Sequence, residues 1–123
     1  MIQAKINGFR RLPGAFKNAL YGIWDFVILE QNARLHAVAT IGVIVLSFAC
    51  RISIKEWIAI LMVIAFVWVT EMLNTCIEKI MDLISVEKRA DIRFIKDVAA
   101  GAVLLASITA FGTGLLIFIP KLI

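Results

Sequence analysis

From Val98 to Ile119 the chain runs without one charged side chain. A helix of that length, rising about 1.5 Å per residue, covers a hydrocarbon core of about 30 Å. Two further apolar stretches precede it, roughly Leu35–Cys50 and Trp57–Thr70, the second running on to Leu83. The first is the shortest and needs its flanks or a tilt to cross. A soluble fold of 123 residues has nowhere to enclose so much apolar surface, because small domains leave a large share of theirs exposed. Hydrophobic residues make up 62% of the chain, which also argues against disorder. Two cysteines are too few for a disulfide scaffold, and Cys50 and Cys76, both inside apolar runs, are expected to be quiet core thiols. The first twenty residues carry a Pro-Gly break and scattered charges but no continuous apolar run, so no cleavable signal is expected. The class is an all-α integral membrane protein.

The net charge is +4, and its placement says more than its size. Lys5, Arg10, Arg11, Lys17 and Arg34 precede the first stretch, while only Arg51 and Lys55 follow it. Lys79, Lys88, Arg89, Arg93 and Lys96 lie between the second and third stretches, and Lys121 stands alone near the end. Basic residues gather on the cytoplasmic side of membrane proteins. The pattern therefore puts the N-terminus and the 79–97 loop in the cytoplasm, with the 51–56 turn and the C-terminus outside. Three crossings of the cytoplasmic (inner) membrane satisfy it. Anionic lipid head groups already account for the basic face, so no nucleic acid partner is expected.

The N-terminal segment has a different pattern. At about 100° per residue, Leu12, Phe16, Leu20, Ile23 and Val27 share one arc, and Arg10, Arg11, Gly14, Lys17, Asn18, Tyr21 and Asp25 the other. Such a helix lies in the interface plane, with Trp24 suited to the head-group level. Pro13 fits its first turn. One membrane domain over residues 1–123 results: an interfacial helix at about 10–30 and transmembrane helices at about 33–52, 56–84 and 94–119.

Chemistry concentrates in the second span. Glu71, Asn74, Glu78 and Asp82 follow one another at helical offsets that keep all four on one face. Carboxylates at membrane depth persist where they line a protein interior or an aqueous cavity. Interhelical hydrogen-bonding glue ordinarily uses Asn, Ser or Thr, and three acidic groups in one stripe exceed that role. If the N-terminal helix ran on, Glu30 would point to its apolar arc with Arg34 on nearly the same side; an inward carboxylate wants a cation or metal for company. Lys96 and Asp97 open the third span, where Asp97 also reads as an N-cap and Lys96 as a snorkelling flank residue. His36 reads as an interfacial side chain. No Gly-rich phosphate loop, HExxH or serine elbow occurs, so any use of ATP proceeds without a P-loop.

Glu71-x-Leu73-Asn74-Thr75-x-Ile77-Glu78-x-x-x-Asp82, followed by Lys96-Asp97-Val98-Ala99-Ala100-Gly101-Ala102-Val103-Leu104-Leu105, resembles the prokaryotic diacylglycerol kinase family, which includes the undecaprenol kinases. The likeness runs from Gly8-Phe9 through Glu30-Gln31-Asn32-Ala33-Arg34 to Ile119-Pro120-Lys121. Cys76 stands where the signature usually has Ser or Ala, and Met81 where it has Val or Ile. His36 stands where diacylglycerol-specific members often carry a glutamate, and a His-Pro common before the Lys-Asp pair is missing. The last two departures bear on lipid choice, not on the chemistry.

The resemblance implies a small homotrimer with active sites at chain boundaries, each chain giving one amphipathic surface helix and three transmembrane helices. It implies Glu71 as general base for the lipid hydroxyl, and Glu30 and Glu78 as ligands of the Mg2+ that bridges the ATP phosphates. Asn74 would orient substrate or base, Lys96 and Arg11 would neutralise phosphate charge, and Asp97 would support the nucleotide end. It leaves Asp82 without a role. Phosphoryl transfer asks a protein mainly for positioning and charge stabilisation, which this set of side chains supplies. The expected function is an ATP-dependent lipid kinase acting on a membrane lipid alcohol, diacylglycerol or undecaprenol, with a slight lean to the latter. The competing reading is a non-enzymatic membrane subunit that binds or relays cations or protons through Glu71 and Glu78.

Overall fold

The computed structural model describes residues 12–123, and among these every regular element is an α-helix. They are α1 (Leu12–Leu29), α2 (Gln31–Ala49), α3 (Ile54–Ile84) and α4 (Ala90–Leu122). The last three are long and apolar enough to cross a membrane, as their sequences predict. The chain divides into two compact units, the first ending at Ala37 and the second covering Val38–Ile123.

In the first unit, Pro13 occupies the first turn of α1, where its missing N–H costs nothing. The helix stops at Leu29, and Glu30 is a one-residue break before α2. Backbone pairing nevertheless bridges it: Glu30 N–H donates to the Phe26 carbonyl at 3.0 Å, and Arg34 N–H to the Glu30 carbonyl at 3.4 Å. Arg34 also turns its guanidinium Nη1 back to donate to the Ile28 carbonyl. That group is one of those a helix end leaves unpaired, and a cation there suits the helix dipole. Phe26 is buried, although it lies off the predicted apolar arc, while Phe16, Leu20 and Ile23 from that arc are exposed. Lys17 sits over the Tyr21 ring at 5.9 Å, on the opposite arc. Arg10 and the side chain of Leu12, which complete the predicted arcs, lie outside the described residues.

The second unit is organised around the antiparallel pairing of α3 and α4. A tight turn feeds it: Arg51 adopts a left-handed conformation (φ 49°) after α2, and Ile52 N–H closes back on the Ser47 carbonyl at 3.3 Å. Ser53 then caps α3, accepting from Glu56 N–H at 3.2 Å while the Glu56 carboxylate accepts from Ser53 N–H at 3.0 Å. The apolar core lies at this end, where Ile52, Ile60, Ile117 and Phe118 cluster with Val43, Leu46 and Trp57 at their edge. Phe48 meets Trp57 edge to face at 4.8 Å, and Trp68 donates from Nε1 to Thr40 at 2.9 Å, tying α2 to α3.

Ion pairs fix both ends of the α3–α4 hairpin. Glu56 meets Lys121 at 3.2 Å, and Asp82 meets Lys96 at 2.6 Å. Along the hairpin, buried Ile60, Val67 and Asn74 of α3 recur at heptad spacing, as do buried Ile92, Ala99 and Ala106 of α4. The two pairs set a register that brings Ala106 level with Glu71 and Ala99 level with Glu78.

Two expectations need correction. The last helix begins at Ala90, so Asp97 lies well inside α4 and is not an N-cap; Arg89 holds the cap position. Cys76 is exposed and Cys50 half-buried, both as free thiols, so Cys76 is no core residue. Apolar neighbours in sequence do not distinguish an exposed apolar helix face from a core.

Candidate active site

The polar stripe of α3 graduates from buried to exposed. Glu71 is 4% exposed and Asn74 8%, whereas Glu78 and Asp82 are exposed. The rise of the helix puts Glu71 about 16 Å along the axis from Asp82. Opposite the two glutamates α4 presents alanines, and small side chains let helix backbones approach closely. That is how a carboxylate so deep in the hairpin is enclosed.

Asn74 joins the buried and exposed halves. Its Nδ2 donates to Glu78 Oε1 at 3.3 Å. Its Oδ1 is buried and has no hydrogen-bond partner among the described residues. The carboxylate of Glu78 only accepts when ionised, so the amide nitrogen must face it and the amide oxygen must face away. An acceptor left so deep costs about 1–3 kcal/mol unless a donor arrives from elsewhere.

The exposed end of the stripe opens on a polar cavity of about 750 Å³ between the end of α3 and the start of α4. Asp82, Arg89, Arg93, Lys96 and Asp97 are among its lining residues. Lys96 bridges to Asp82 across the two helices. Arg93 reaches Asp97 at 3.7 Å one turn along α4, and Arg89 makes a two-pronged contact with Asp91, at 2.6 Å and 3.2 Å. The cavity thus combines cations with carboxylates that already hold them.

The structure therefore brings together Asn74 with Glu78, and Lys96 and Asp97 in one cavity. Glu71 shares the α3 face with Glu78 but lies deeper. Glu30 belongs to the first unit, half-buried at the α1–α2 break. Arg11 lies outside the described residues. Among the described residues no three His, Cys, Asp or Glu side chains gather at one point. The Asp82–Lys96 pair is the feature that reading the sequence missed. Its only signal was that Asp82 ends the α3 stripe and Lys96 is the last cation before the uncharged run of α4.

Residues 17–118 match the sequence profile of the prokaryotic diacylglycerol kinase family. The chain belongs to that family. It is a membrane lipid kinase. The kinase is 38% identical over 116 residues to the undecaprenol kinase of Bacillus subtilis (strain 168), covering 94% of each chain. It is 28% identical over 110 residues to the diacylglycerol kinase of Synechocystis sp. (strain ATCC 27184 / PCC 6803 / Kazusa), covering 89% of this chain and 63% of that protein. The kinase motifs that resemble the family fall on the α3 stripe and on the cavity end of α4, inside the matched residues.

Proposed function

We propose that the kinase moves the γ-phosphate of ATP to the terminal hydroxyl of a membrane lipid alcohol, and that undecaprenol is a better substrate than diacylglycerol. One observation carries the reading: a carboxylate, Glu71, is enclosed in a membrane hairpin on the same helical face as Asp82, which lines a cation-bearing cavity. A lipid hydroxyl approaches from the bilayer and a triphosphate from the cytosol, and this face joins the two. The preference for undecaprenol rests on the fuller and closer match to the Bacillus protein.

In this mechanism Glu71 takes the proton of the lipid hydroxyl on a carboxylate oxygen. The lipid oxygen forms a bond to the γ-phosphorus, the bond from that phosphorus to the ADP oxygen breaks, and ADP departs. Burial keeps water from competing as the nucleophile. Asn74 orients the reacting group, with its amide aligned by Glu78. Lys96 and Arg11 neutralise phosphate charge, and Asp97 supports the nucleotide end of the cavity. Glu78 and Glu30 are the residues assigned to hold Mg2+. An exposed carboxylate at the cavity end of the stripe suits an ion that prefers one or two carboxylates beside phosphate and water. The ion, when bound, offsets negative charge on the phosphates.

The assembly proposed is a homotrimer with sites shared between chains in the cytoplasmic membrane, the N-terminus and the 79–97 loop facing the cytosol. α1 is assigned to the cytoplasmic interface, where exposed Phe16, Leu20 and Trp24 meet lipid. The two ion pairs of the hairpin favour this placement. They stand about 39 Å apart along α3, close to the about 40–45 Å of a bilayer with its head groups.

The test is purified protein in nanodiscs with γ-labelled ATP, magnesium and a panel of undecaprenol, diacylglycerol and ceramide. Label is expected in undecaprenol first, and Glu71→Gln is expected to stop transfer with helicity retained. Full turnover by Glu71→Gln would remove the base assignment. Faster labelling of diacylglycerol would reverse the lipid preference.

A further inference from the structure

We propose that Asp82 is the counter-anion Lys96 holds until nucleotide arrives, and that Asp82 thereby weakens ATP binding. The inference rests on the reading that Lys96 meets the ATP phosphates, and it assigns a role to a carboxylate outside that reading. Asp82 Oδ1 lies 2.6 Å from Lys96 Nζ. The pair crosses from α3 to α4 at the mouth of the polar cavity, and both residues line it. Lys96 is half-shielded (35% exposed side chain) while Asp82 is open to water (63%).

A pair so exposed on one side is weakly held and opens readily. The lysine ammonium carries three N–H donors, so a phosphate oxygen takes either the position Asp82 leaves or one beside it. Both outcomes act in the same direction. In the first, ATP displaces a bound anion; in the second, it approaches a fixed negative charge. Arg93 and Arg89 carry carboxylates too, but Asp97 and Asp91 are their neighbours on the same helix or its cap. Of these three pairs at the cavity, only Asp82–Lys96 joins the two helices, its carboxylate coming from the helix that carries Glu71 and Glu78. It therefore balances the nucleotide end of the site against the helix of the proposed base. The same exchange run backwards assists product release, as Asp82 reclaims the ammonium when ADP leaves.

A role limited to stapling the hairpin makes the opposite prediction. Without the staple, Lys96 would wander, ATP would bind no better or worse, and the protein would melt earlier. Equilibrium ATP binding to the full-length kinase in nanodiscs separates the two. Asp82→Asn is expected to tighten ATP binding about fivefold, the scale of an exposed ion pair, with the lipid KM unchanged. Asp82→Glu, which keeps the charge, is expected to bind ATP as the wild type does. Equal or weaker ATP binding by Asp82→Asn overturns the proposal. Should Asp82→Asn fail to fold, Asp82→Ser also removes the charge and must show the same tightening. Lys96→Gln isolates the underlying reading: if it leaves ATP affinity intact, the nucleotide site and this inference both fall. If it weakens ATP binding while the neutral Asp82 variants fail to tighten it, this inference falls alone.

Discussion

Asn74 donates its amide hydrogen to Glu78 one turn along α3 at 3.3 Å, while its own amide oxygen is buried with no donor among the described residues. The pairing works only while one partner donates and the other accepts. Asn74→Asp keeps the shape and removes the donor, setting a buried carboxylate against the exposed one of Glu78. Like charges so placed oppose folding and leave Glu78 misaligned. Turnover is expected to fall at least a hundredfold and the thermal midpoint in nanodiscs to drop. Steady-state lipid phosphorylation and a melting curve followed by circular dichroism read both; a variant of normal activity would dissociate the pairing from the chemistry.

Glu71 separates stability from function in the other direction. It is 4% exposed, buried on the same face of α3 as Ile60, Val67 and Asn74. Glutamine keeps the shape of that side chain and its capacity to hydrogen-bond while removing the charge that is costly to bury. Glu71→Gln is therefore expected to melt no earlier than the wild type while losing phosphoryl transfer by about 10²–10⁴-fold, the usual worth of a general base. Loss of the fold together with the activity would give Glu71 a structural role instead.

The dry end of the second unit offers a stability test remote from the stripe. Ser53 caps α3 beside the cluster of Ile52, Ile60, Ile117 and Phe118. Ser53→Ala removes the acceptor for Glu56 N–H and breaks the reciprocal box, at a cost of about 0.5–2 kcal/mol. The cap stands roughly 27 Å along α3 from Glu71. A lower denaturation midpoint with unchanged kcat and KM is expected in the same preparations. A fall in kcat matching that of the stripe variants would show that the two ends of the hairpin are coupled.

How far these features were legible in the sequence depends on whether one helix or two is involved. The stripe of Glu71, Asn74, Glu78 and Asp82 follows from helical period, so the order of residues is enough to reveal it. The same holds for the three long apolar helices, since length and the absence of charge decide them. The break at Glu30 was not legible in helical period, and it creates a helix end whose Ile28 carbonyl accepts from the Arg34 guanidinium. Asp97 looked like a cap because the apolar run starts after it, whereas the helix already begins at Ala90 and carries the mixed polar and apolar residues 90–97 ahead of that run. The Asp82–Lys96 pair and the level of Ala106 with Glu71 depend on the register between α3 and α4. That register is set by the packing of both helices and the loop joining them, and no period within either helix contains it.

The register itself is open to test at Ala106, which is 2% exposed and level with Glu71. Both side chains are buried, and a small residue at this level lets the two helices approach closely. Ala106→Leu forces three further carbon atoms into a closed seam, where overpacking costs about 1–3 kcal/mol. The backbone or Glu71 must give way, and a shift of about 1 Å at a reacting group lowers rate by about a hundredfold. Ala106→Ser adds one oxygen, which bonds readily to a carbonyl of its own helix, and is expected to retain most of the turnover. The check is kcat for both variants beside their melting curves. If Ala106→Leu phosphorylated lipid at the wild-type rate, α4 would be offset from the register its end pairs define, because a side chain that size has no room opposite Glu71.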